Sequence, residues 1–337
     1  MQNLNKISPE HPKVSYGNTG ILIINLGTPE SCKWIHIRSY LKEFFSDKRV
    51  IEANRVLWFF VLNFIILNLR PHKTAKNYKK IWLQDIDMSP LKYYTETQKE
   101  KLQKKFKNPN IIVEYAMRYG KPSIQEKINH LKNLGCDDII ILPLYPQYAA
   151  PTTASVCDEV FRTLLKMRWQ PNVKIVHHYE SDPNYIKALA NSLRTVLRKI
   201  TFKPDVIITS YHGIPEKYFE AGDPYHCYCH KTTRLLKEAM KIKIPFMTTF
   251  QSRFGPQQWL KPYTDITLKA LPAKGIKKVL VLCPGFASDC IETLEEIEIE
   301  AKDLFFESGG LKFKYVPCLN DNTDHINLLY TLVKKYL

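Results

Sequence analysis

The residue types best suited to chemistry lie in one acidic stretch, which runs from Asp289 to Glu300 and holds six carboxylates in twelve residues. The chain as a whole carries a formal net charge of +16, so this concentration of negative charge stands out. In a helix, Glu292, Glu296 and Glu300 share one face, because residues four apart lie one above the other. The opposite face carries a predicted core stripe of Leu294, Ile297, Ala301, Leu304 and Phe305. Like charges at this spacing repel by roughly 0.2–0.5 kcal/mol per pair on a solvated surface. The stretch is therefore either a wet helix face or a carboxylate ladder along a cavity, where a cation would offset the repulsion.

A second reactive group is His212, which follows the apolar run Val206–Ser210 and opens a Gly-x-Pro turn. A histidine held at a strand end is placed to transfer a proton, although a surface or capping histidine is the alternative. The acidic stretch also follows a predicted strand, Lys278–Cys283, so we expect Asp289 and Glu292 to point into the same cleft as His212. An imidazole that faces carboxylates forms a proton-transfer pair, a divalent-metal site, or both.

Eight short β-branched runs alternate with amphipathic stretches along the chain, and this alternation predicts parallel sheets with helices on both faces. The predicted strands are Ile21–Asn25, Ile111–Tyr115, Asp138–Pro143, Lys174–His178, Val206–Ser210, Phe246–Phe250, Lys278–Cys283 and Lys312–Val316. The predicted helices lie near Ile37–Phe45, Glu96–Phe106, Ile124–Leu134, Thr153–Lys166, Tyr185–Ile200, Thr232–Lys241, Ile291–Phe306 and His325–Tyr336.

The two halves of the chain open alike. Ile21–Asn25 and Val206–Ser210 each run into a turn that contains Gly-x-Pro-Glu. The economical interpretation is an α/β protein of two doubly wound, Rossmann-like lobes that face each other across a cleft, since ligands of such sheets bind at the carboxyl ends of the strands. We place the first lobe at residues 20–165 and the second at 166–337, with the last helix packing back on the first lobe.

Composition excludes several classes of protein. Apolar residues make up 45% of the 337 residues and charged residues 24%, as in ordinary soluble globular proteins. The lysines are scattered, and neither a basic stripe interleaved with aromatics nor zinc-finger spacing is present, so a nucleic-acid partner is not expected. There is no G-x-G-x-x-G after a strand and no Walker A sequence, so no dinucleotide or ATP site is expected. The first twenty residues are polar, so export is not expected. The eight cysteines are therefore expected to be reduced thiols, as in a cytoplasmic protein.

The longest apolar run, Val56–Leu69, is too short for a bilayer span of about 20 residues. One interpretation is a buried core helix. The other is a membrane-facing lip at the mouth of a pocket, with headgroup contacts from Arg70 and Lys73, and a peripheral contact through residues 56–73. The aromatic residues suited to such a lip are Trp58, Phe59, Phe60 and Phe64.

The segment from His226 to His230 reads His-Cys-Tyr-Cys-His. Cys227 and Cys229 could contribute to a metal site, but a closed tetrahedral site needs four well-placed ligands. No second cluster stands out to complete it, so ordinary thiols are favoured and a metal site remains the alternative.

Taken together, these motifs resemble the ferrochelatase family. The segments that carry the resemblance run in order from about residue 20 to about residue 320. They are Asn25–Pro29, Ala116–Gly120, Tyr145–Tyr148 with Thr152 and Thr153, Ser210–Pro215 with Gly222–Tyr225, Gln251–Leu260, and Pro284–Leu294.

The resemblance implies a lyase that inserts ferrous iron into protoporphyrin IX to give protohaem, the terminal step of haem b biosynthesis. It implies a chelatase-type pair of lobes with the porphyrin in the cleft, Fe²⁺ as a substrate, and no required cofactor. His212 and Glu292 are the implied catalytic residues, and they bind metal together with Glu296 and Glu300, along a path leading away from the site. The implied substrate-binding residues are Leu26, Arg118, Tyr119, Tyr145 and Trp259.

The sequence departs from the family pattern at two places. Cys290 stands where animal members have a histidine, which leaves open whether a thiolate replaces imidazole in metal delivery there. Some members bind a [2Fe–2S] cluster through an internal cysteine and cysteines in a C-terminal extension. Here Ala150 occupies the matching internal position and no cysteine follows Cys318, so we expect no cluster. The absence of an N-terminal presequence makes the chain resemble the bacterial type of enzyme.

Alternatives remain open from sequence. The enzyme could act on another tetrapyrrole or metal, such as coproporphyrin with iron, or cobalt. A non-catalytic porphyrin carrier on the same scaffold is the rival from another class, and it would need no base facing a carboxylate ladder. Coproporphyrin carries four carboxylates and would need more cationic partners in the pocket than protoporphyrin.

Overall fold

The computed structural model describes residues 15–337, and it contains two parallel four-stranded sheets. The first fourteen residues, most of the polar segment discussed above, lie outside this part. The strands are β1 (Asn18–Gly27), β2 (Ile111–Tyr119), β3 (Cys136–Pro143), β4 (Asn172–Ile175), β5 (Val206–His212), β6 (Phe246–Gln251), β7 (Lys278–Leu282) and β8 (Lys312–Val316). All eight predicted strands are confirmed, although β4 begins and ends earlier than predicted.

The two sheets have the same topology. Their strand orders are β2-β1-β3-β4 and β6-β5-β7-β8, which matches the likeness of the two half-sequences. In each sheet the chain reverses its direction of winding at the first strand, β1 or β5, and this switch point is where doubly wound sheets bind ligands. Residues Ile21–Ile24 of β1 are fully buried, because helices cover both faces of the sheet and every position of a central strand packs inward.

Twelve α-helices surround the sheets in the described part of the chain. They are α1 (Trp34–Ser46), α2 (Arg55–Phe60), α3 (Leu67–Ile81), α4 (Pro90–Gln103), α5 (Ile124–Asn133), α6 (Ser155–Leu164), α7 (Pro183–Lys199), α8 (Glu216–Glu220), α9 (Tyr225–Met240), α10 (Thr264–Ala270), α11 (Lys302–Glu307) and α12 (Thr323–Lys334). Three π-helical segments adjoin them, at Val61–Ile66, Ala150–Ala154 and Ile291–Ala301.

The acidic stretch forms the longest of these π-helical segments rather than the α-helix implied by the predicted ladder. Its i→i+5 bonding puts more residues in each turn than an α-helix, and π-helical turns often occur at functional sites. The predicted core stripe is buried at Ile297, Ala301 and Phe305, which pack in the core of the second lobe, whereas Leu294 and Leu304 are half-buried.

Helices α2 and α3, joined by the π-helical turn between them, form an apolar projection that we call the lip, residues 55–81. The interpretation of Val56–Leu69 as a buried core helix is wrong, because seven large apolar residues here are at least half exposed. They are Val56, Leu57, Phe59, Phe60, Phe64, Ile65 and Leu69. Trp58 instead turns inward, where its indole N–H donates to the carbonyl of Phe45 at 2.7 Å. Within residues 15–337, no helix has both the length and the apolarity to cross a membrane.

The first sheet extends beyond the boundary predicted at residue 165. Strand β4, residues 172–175, pairs in parallel with β3 and completes that sheet, so the second lobe begins after it. The last helix, α12, contacts the first lobe, where the ring of Tyr330 lies 5.1 Å from the ring of Phe106 between centroids.

Candidate active site

A cleft between the lobes opens into a cavity of about 1010 Å³, here called the main cavity. It lies at the carboxyl ends of the central strands of both sheets, where Leu26 follows the core of β1, Tyr145 follows β3, and His212 ends β5. Trp259 and Glu292 complete the set of predicted residues that line it.

The lining of the main cavity is largely apolar. Its aromatic and aliphatic members include Phe44, Leu91, Leu144, Ile214, Tyr218, Tyr225, Phe254 and Phe286. Among the described residues that line it, none is Lys or Arg, and Glu292 is the lining residue that bears an acidic side chain. A flat apolar molecule therefore fits this cavity better than a highly charged one.

His212 presents one ring nitrogen to the cavity. Its Nδ1 lies 2.6 Å from the carbonyl oxygen of Gly213, and a carbonyl can only accept, so Nδ1 carries the proton. The neutral ring then has its lone pair on Nε2, which can accept a proton. The ring of Trp259 stands 6.5 Å away between centroids. His212 is thus oriented by its own turn, as a general base requires.

Gln251 couples the acidic helix to the strand that carries His212. The two residues are register partners in β5 and β6. The Gln251 amide nitrogen donates to the main-chain carbonyl of Glu292 at 2.7 Å and to the carboxylate of Glu296 at 3.3 Å. This one side chain fixes the first turns of the acidic helix relative to His212.

Glu296 is the second member of the predicted ladder, and its carboxylate is held by Ser252. The Ser252 backbone N–H donates to it at 2.8 Å, and the Ser252 hydroxyl donates to its other oxygen. Burial raises the pKa of Glu296, hydrogen bonding from Ser252 and the charge of His212 oppose that rise, and Glu292 adds to it. His212, Glu292 and Glu296 are therefore close enough to influence one another electrostatically.

Glu296 and Glu300 line a second space of about 700 Å³, here called the outer cavity. Glu300 is exposed to solvent. The three glutamates thus run from the main cavity at Glu292, through the half-buried Glu296, to an exposed end at Glu300. Arg253 also lines the outer cavity, but Asp265 holds its guanidinium through two hydrogen bonds of 2.6 and 2.8 Å.

Glu295 is a buried carboxylate that no sequence pattern distinguishes from the other acidic residues of this stretch. Lys80 of the lip donates to it at 2.6 Å, so an ion pair joins the lip to the acidic helix. Burial raises the pKa of Glu295, while Lys80 lowers it and Glu300 raises it. The pairing was hidden because the partners lie 215 residues apart.

Three buried tyrosines feel the charge of Glu292: Tyr40, Tyr78 and Tyr145. Burial raises the pKa of each hydroxyl, and the charge of Glu292 raises it further. The Tyr145 hydroxyl is buried and has no hydrogen-bond partner among residues 15–337. Tyr40 and Tyr78 stand on α1 and the lip, and no local motif marks them in the sequence. Neutral hydroxyls around one carboxylate can donate to it or to a ligand.

Arg118 and Tyr119, predicted to bind substrate, do not line the main cavity. Both are buried and bond to Asp47, with the Tyr119 hydroxyl at 2.8 Å. The Arg118 Nε also donates to the hydroxyl of Ser155 at 2.7 Å. Their geometry supports a role in holding the cavity floor, and direct contact with substrate stays a prediction.

Replacing Asp47 by Asn is expected to destabilise the fold by about 3–5 kcal/mol, because it leaves the Arg118 charge buried without its partner. Burial alone would raise the pKa of Asp47, but the Ser155 hydrogen bond and the charge of Arg118 outweigh it and hold that pKa below its usual value. The carboxylate therefore stabilises the fold above its unfolded pKa, and this stabilisation is lost as pH falls through the lower folded pKa. Urea denaturation at several pH values should show the gap between wild type and variant shrinking with acid.

The matched control for this measurement is Glu238→Gln, which breaks the exposed pair with Arg234. An exposed helical pair contributes little, so the control should change stability by no more than about 0.5 kcal/mol. An Asp47→Asn variant as stable as this control would contradict the structural role assigned to the buried pair.

Asp289 does not face His212 as predicted. Its carboxylate accepts from the Tyr315 hydroxyl at 2.6 Å and from the Asn320 amide at 2.7 Å, on the side away from the main cavity. Cys290 does line the cavity, but burial raises its thiol pKa well above the usual value and Glu292 raises it further. Cys290 is therefore a neutral thiol here, and a metal would have to displace its proton.

Within residues 15–337, no group of three or more His, Cys, Asp or Glu side chains is arranged to hold a metal ion in a closed site.

Comparison with known proteins identifies the family of this chain. The Ferrochelatase family model matches residues 18–337. A ferrochelatase of Allorhizobium ampelinum is 50% identical over 336 residues, which cover 99% of this chain and 98% of that protein. A ferrochelatase of Francisella tularensis subsp. novicida is 48% identical over 323 residues, with 95% and 96% covered.

Solved structures resemble the fold at low sequence identity. SirB from Bacillus subtilis with Fe3+ matches with a TM-score of 0.58 at 12% identity, and covers 95% of both chains. The structure titled CbiX, the terminal enzyme for biosynthesis of sirohaem in denitrifying bacteria, matches with a TM-score of 0.50 at 11% identity, and covers 94% of this chain and 99% of that one. At such identities the likeness establishes the two-lobe chelatase fold and nothing further.

Proposed function

Since this chain belongs to the ferrochelatase family and is an enzyme that inserts iron into a porphyrin, we propose that His212 and Glu292 carry the reaction on protoporphyrin IX. The observation that carries the proposal is that both residues line one largely apolar cavity. Ferrous iron is the second substrate.

His212 serves as the base in this proposal. Metallation requires two pyrrole N–H protons to leave a macrocycle whose nitrogens point inward, so a base must approach the ring centre. The Nδ1–H bond to the Gly213 carbonyl leaves Nε2 free to take such a proton. A narrow cleft can also use porphyrin binding energy to distort the ring toward the geometry that accepts metal.

Glu292, Glu296 and Glu300 form the route for iron. A carboxylate-lined path lets Fe²⁺ exchange its water shell stepwise for oxygen and then nitrogen ligands. Glu300 meets solvent, Glu296 is held by Ser252, and Glu292 reaches the main cavity. A bound cation would offset the mutual repulsion of these carboxylates, which supports the ladder over the wet-face interpretation.

The apolar lining favours protoporphyrin IX over coproporphyrin. A porphyrin bearing two carboxylates can keep both at the mouth, where Arg70 lies over the rings of Phe45 and Phe254, 5.1 and 5.6 Å from their centroids. Phe254 lines the main cavity, so Arg70 marks its edge. Four carboxylates would place at least one of them toward a lining that offers no Lys or Arg.

We expect kcat/KM for coproporphyrin to be at least roughly tenfold lower than for protoporphyrin IX, since an unpaired buried charge costs several kcal/mol and 1.36 kcal/mol already gives a factor of ten. The measurement is an anaerobic steady-state assay with Fe²⁺ and each porphyrin, followed in the visible spectrum. Equal or higher efficiency with coproporphyrin would assign the enzyme to that substrate instead. Tight porphyrin binding without metallation would favour the carrier alternative.

The proposal includes no resident cofactor. Ala150 stands at the internal position where the family resemblance implies a cysteine in cluster-binding members. Iron and sulfide analysis of protein purified without oxygen tests this, and a stoichiometric [2Fe–2S] spectrum would contradict it.

The proposal also includes a peripheral contact of the lip with the inner face of the cytoplasmic membrane. The exposed Phe59, Phe60 and Phe64 suit the acyl boundary, and Arg70 and Lys73 suit anionic headgroups. Sedimentation with anionic vesicles is the direct test, because a lip with no membrane role would leave the protein in the supernatant.

A further inference from the structure

The His-Cys-Tyr-Cys-His segment is not used by the proposed reaction, and it opens α9. Its two cysteines point in different directions: Cys227 is exposed, whereas Cys229 is fully buried. Burial raises the pKa of the Cys229 thiol well above its usual value, so this sulfur is an inert core group. The thiol pair considered from sequence therefore does not form a site.

The two histidines, by contrast, lie together on one helix face. His226 and His230 are four residues apart, and their ring centroids are 4.5 Å apart. Two histidines at this spacing on a helix can bind one zinc ion together. Zinc holds imidazole nitrogens at about 2.0–2.1 Å, so rings this close can both reach one ion.

Neighbouring aromatic rings hold the pair in place. The ring of His226 stacks on Phe250 with centroids 5.7 Å apart and meets the edge of Phe219 at 5.2 Å. The ring of His230 lies 6.2 Å from Phe250. Because this packing restricts ring rotation, less freedom is lost when a ligand binds.

The ring nitrogens are available for a ligand. Neither His226 nor His230 forms a hydrogen bond or ion pair with any residue between 15 and 337, in contrast to His212, His178 and His325. A neutral imidazole binds metal through a ring nitrogen that no protein group occupies.

We propose that His226 and His230 chelate one borderline transition-metal ion, of the Zn²⁺ and Ni²⁺ class, on the outer face of α9. Neither residue lines the main cavity or the outer cavity, so this ion is separate from the iron substrate. Imidazole suits such metals, whereas carboxylate-rich positions suit harder ions. With two protein ligands, the remaining coordination positions are filled by water, and the ion exchanges readily.

The test is calorimetric titration of the tag-free full-length chain with Ni²⁺. His212→Ala serves as the background, since it weakens any binding in the main cavity. In this background His226→Ala and His230→Ala should each lower the affinity of one site by roughly 10–100-fold, since losing even an outer partner of a metal ligand costs that much. His130→Ala, which removes an exposed histidine on α5, is the matched control and should leave the affinity unchanged.

A second variant tests the identity of the ligands. Cys227→Ser should retain the Ni²⁺ site, because the two imidazoles carry it. The assignment is overturned if His226→Ala and His230→Ala bind Ni²⁺ as the background does, or if Cys227→Ser loses as much affinity as they do. Iron insertion by His226→Ala and His230→Ala in the otherwise native chain should stay near normal, which shows that the fold is intact and separates this site from the reaction.

Discussion

A His212→Ala variant is expected to lose iron insertion by roughly 10²–10⁴-fold or more, the usual contribution of a positioned general base, while remaining folded. The loss follows from the geometry of the turn. Nδ1 donates a hydrogen bond to the Gly213 carbonyl, which leaves Nε2 free to take a proton. No other histidine between residues 15 and 337 lines the main cavity, so no neighbouring imidazole can replace it.

The fold should survive because the bonds that define the turn are made by the backbone. The Gly213 N–H donates to the Gln251 carbonyl at 2.7 Å, and the Leu260 N–H donates to the Ile214 carbonyl at 3.0 Å. Neither involves the imidazole. The variant should therefore keep the urea midpoint of the wild type within error and should still bind porphyrin, as judged by quenching of protein fluorescence.

The measurement is single-turnover metallation under anaerobic conditions with porphyrin already bound, which separates proton removal from substrate binding. His130→Ala is the matched control, since that residue lies on α5 and is remote from the cavity lining. Near-normal turnover by a folded His212→Ala protein would remove the residue from the mechanism.

The sheets and the meeting of His212 with Glu292 were predictable because both depend on patterns that are local in sequence. Buried parallel strands are continuous apolar runs, and ligands collect at their carboxyl ends. Tyr145 and His212 directly follow such runs, which predicts their place at one cleft, whereas Leu26 is expected there from the family resemblance; all three line the main cavity.

The remaining parts of the site depend on contacts between distant segments. The charge of Glu292 raises the pKa of the Tyr40 and Tyr78 hydroxyls. The helices that carry these tyrosines show only an amphipathic pattern in their own sequences. Arg118 lies at a strand end but does not face the main cavity. It forms an ion pair with the buried carboxylate of Asp47, and this pair is more favourable than exposing the guanidinium to an apolar cavity. No local pattern records a partner 71 residues away.

The apolar run of the lip shows a second limit of sequence patterns. A stretch such as Val56–Leu69 is compatible with a buried core helix or with an exposed one. An apolar sequence favours burial, but it does not determine whether other parts of the fold cover the helix. Phe59 and Phe64 are exposed because of where the lip lies in the fold, and the apolar pattern does not record that position. The prediction that Asp289 faces His212 was wrong for a related reason. The hydrogen-bond partners of Asp289, Tyr315 and Asn320, lie on β8 and in the loop after it.

The second large effect is expected at Glu292. Glu292→Gln should lower turnover by roughly 10²-fold or more, because the change removes the acidic charge of the main cavity where the metal and the leaving protons meet. Glu296→Gln should lower turnover by clearly less, since Glu296 lies a turn further from the cavity and acts on iron before it reaches the porphyrin.

Glutamine is a suitable probe at both positions because it keeps the shape of the side chain. At position 296 the amide oxygen can still accept from the Ser252 N–H, and the amide nitrogen can donate to the Ser252 hydroxyl. The variant therefore removes the charge and loses the 3.3 Å hydrogen bond from the Gln251 amide, while Gln251 keeps its 2.7 Å bond to the Glu292 carbonyl. The same swap at the exposed Glu238 is the control, and it should leave turnover unchanged.

The two variants should also differ in the kinetic step that each one impairs. If the ladder delivers iron, Glu296→Gln raises the KM for Fe²⁺ and leaves single-turnover metallation by preloaded iron close to normal, because a remote carboxylate affects the arrival of the ion. Glu292→Gln instead slows the metallation step itself, since its carboxylate stands beside the ring centre. Steady-state assays over a range of Fe²⁺ concentrations, paired with stopped-flow single turnovers, resolve the two effects. A larger loss of turnover in Glu296→Gln than in Glu292→Gln would place the essential charge further out and would contradict a path that ends at Glu292.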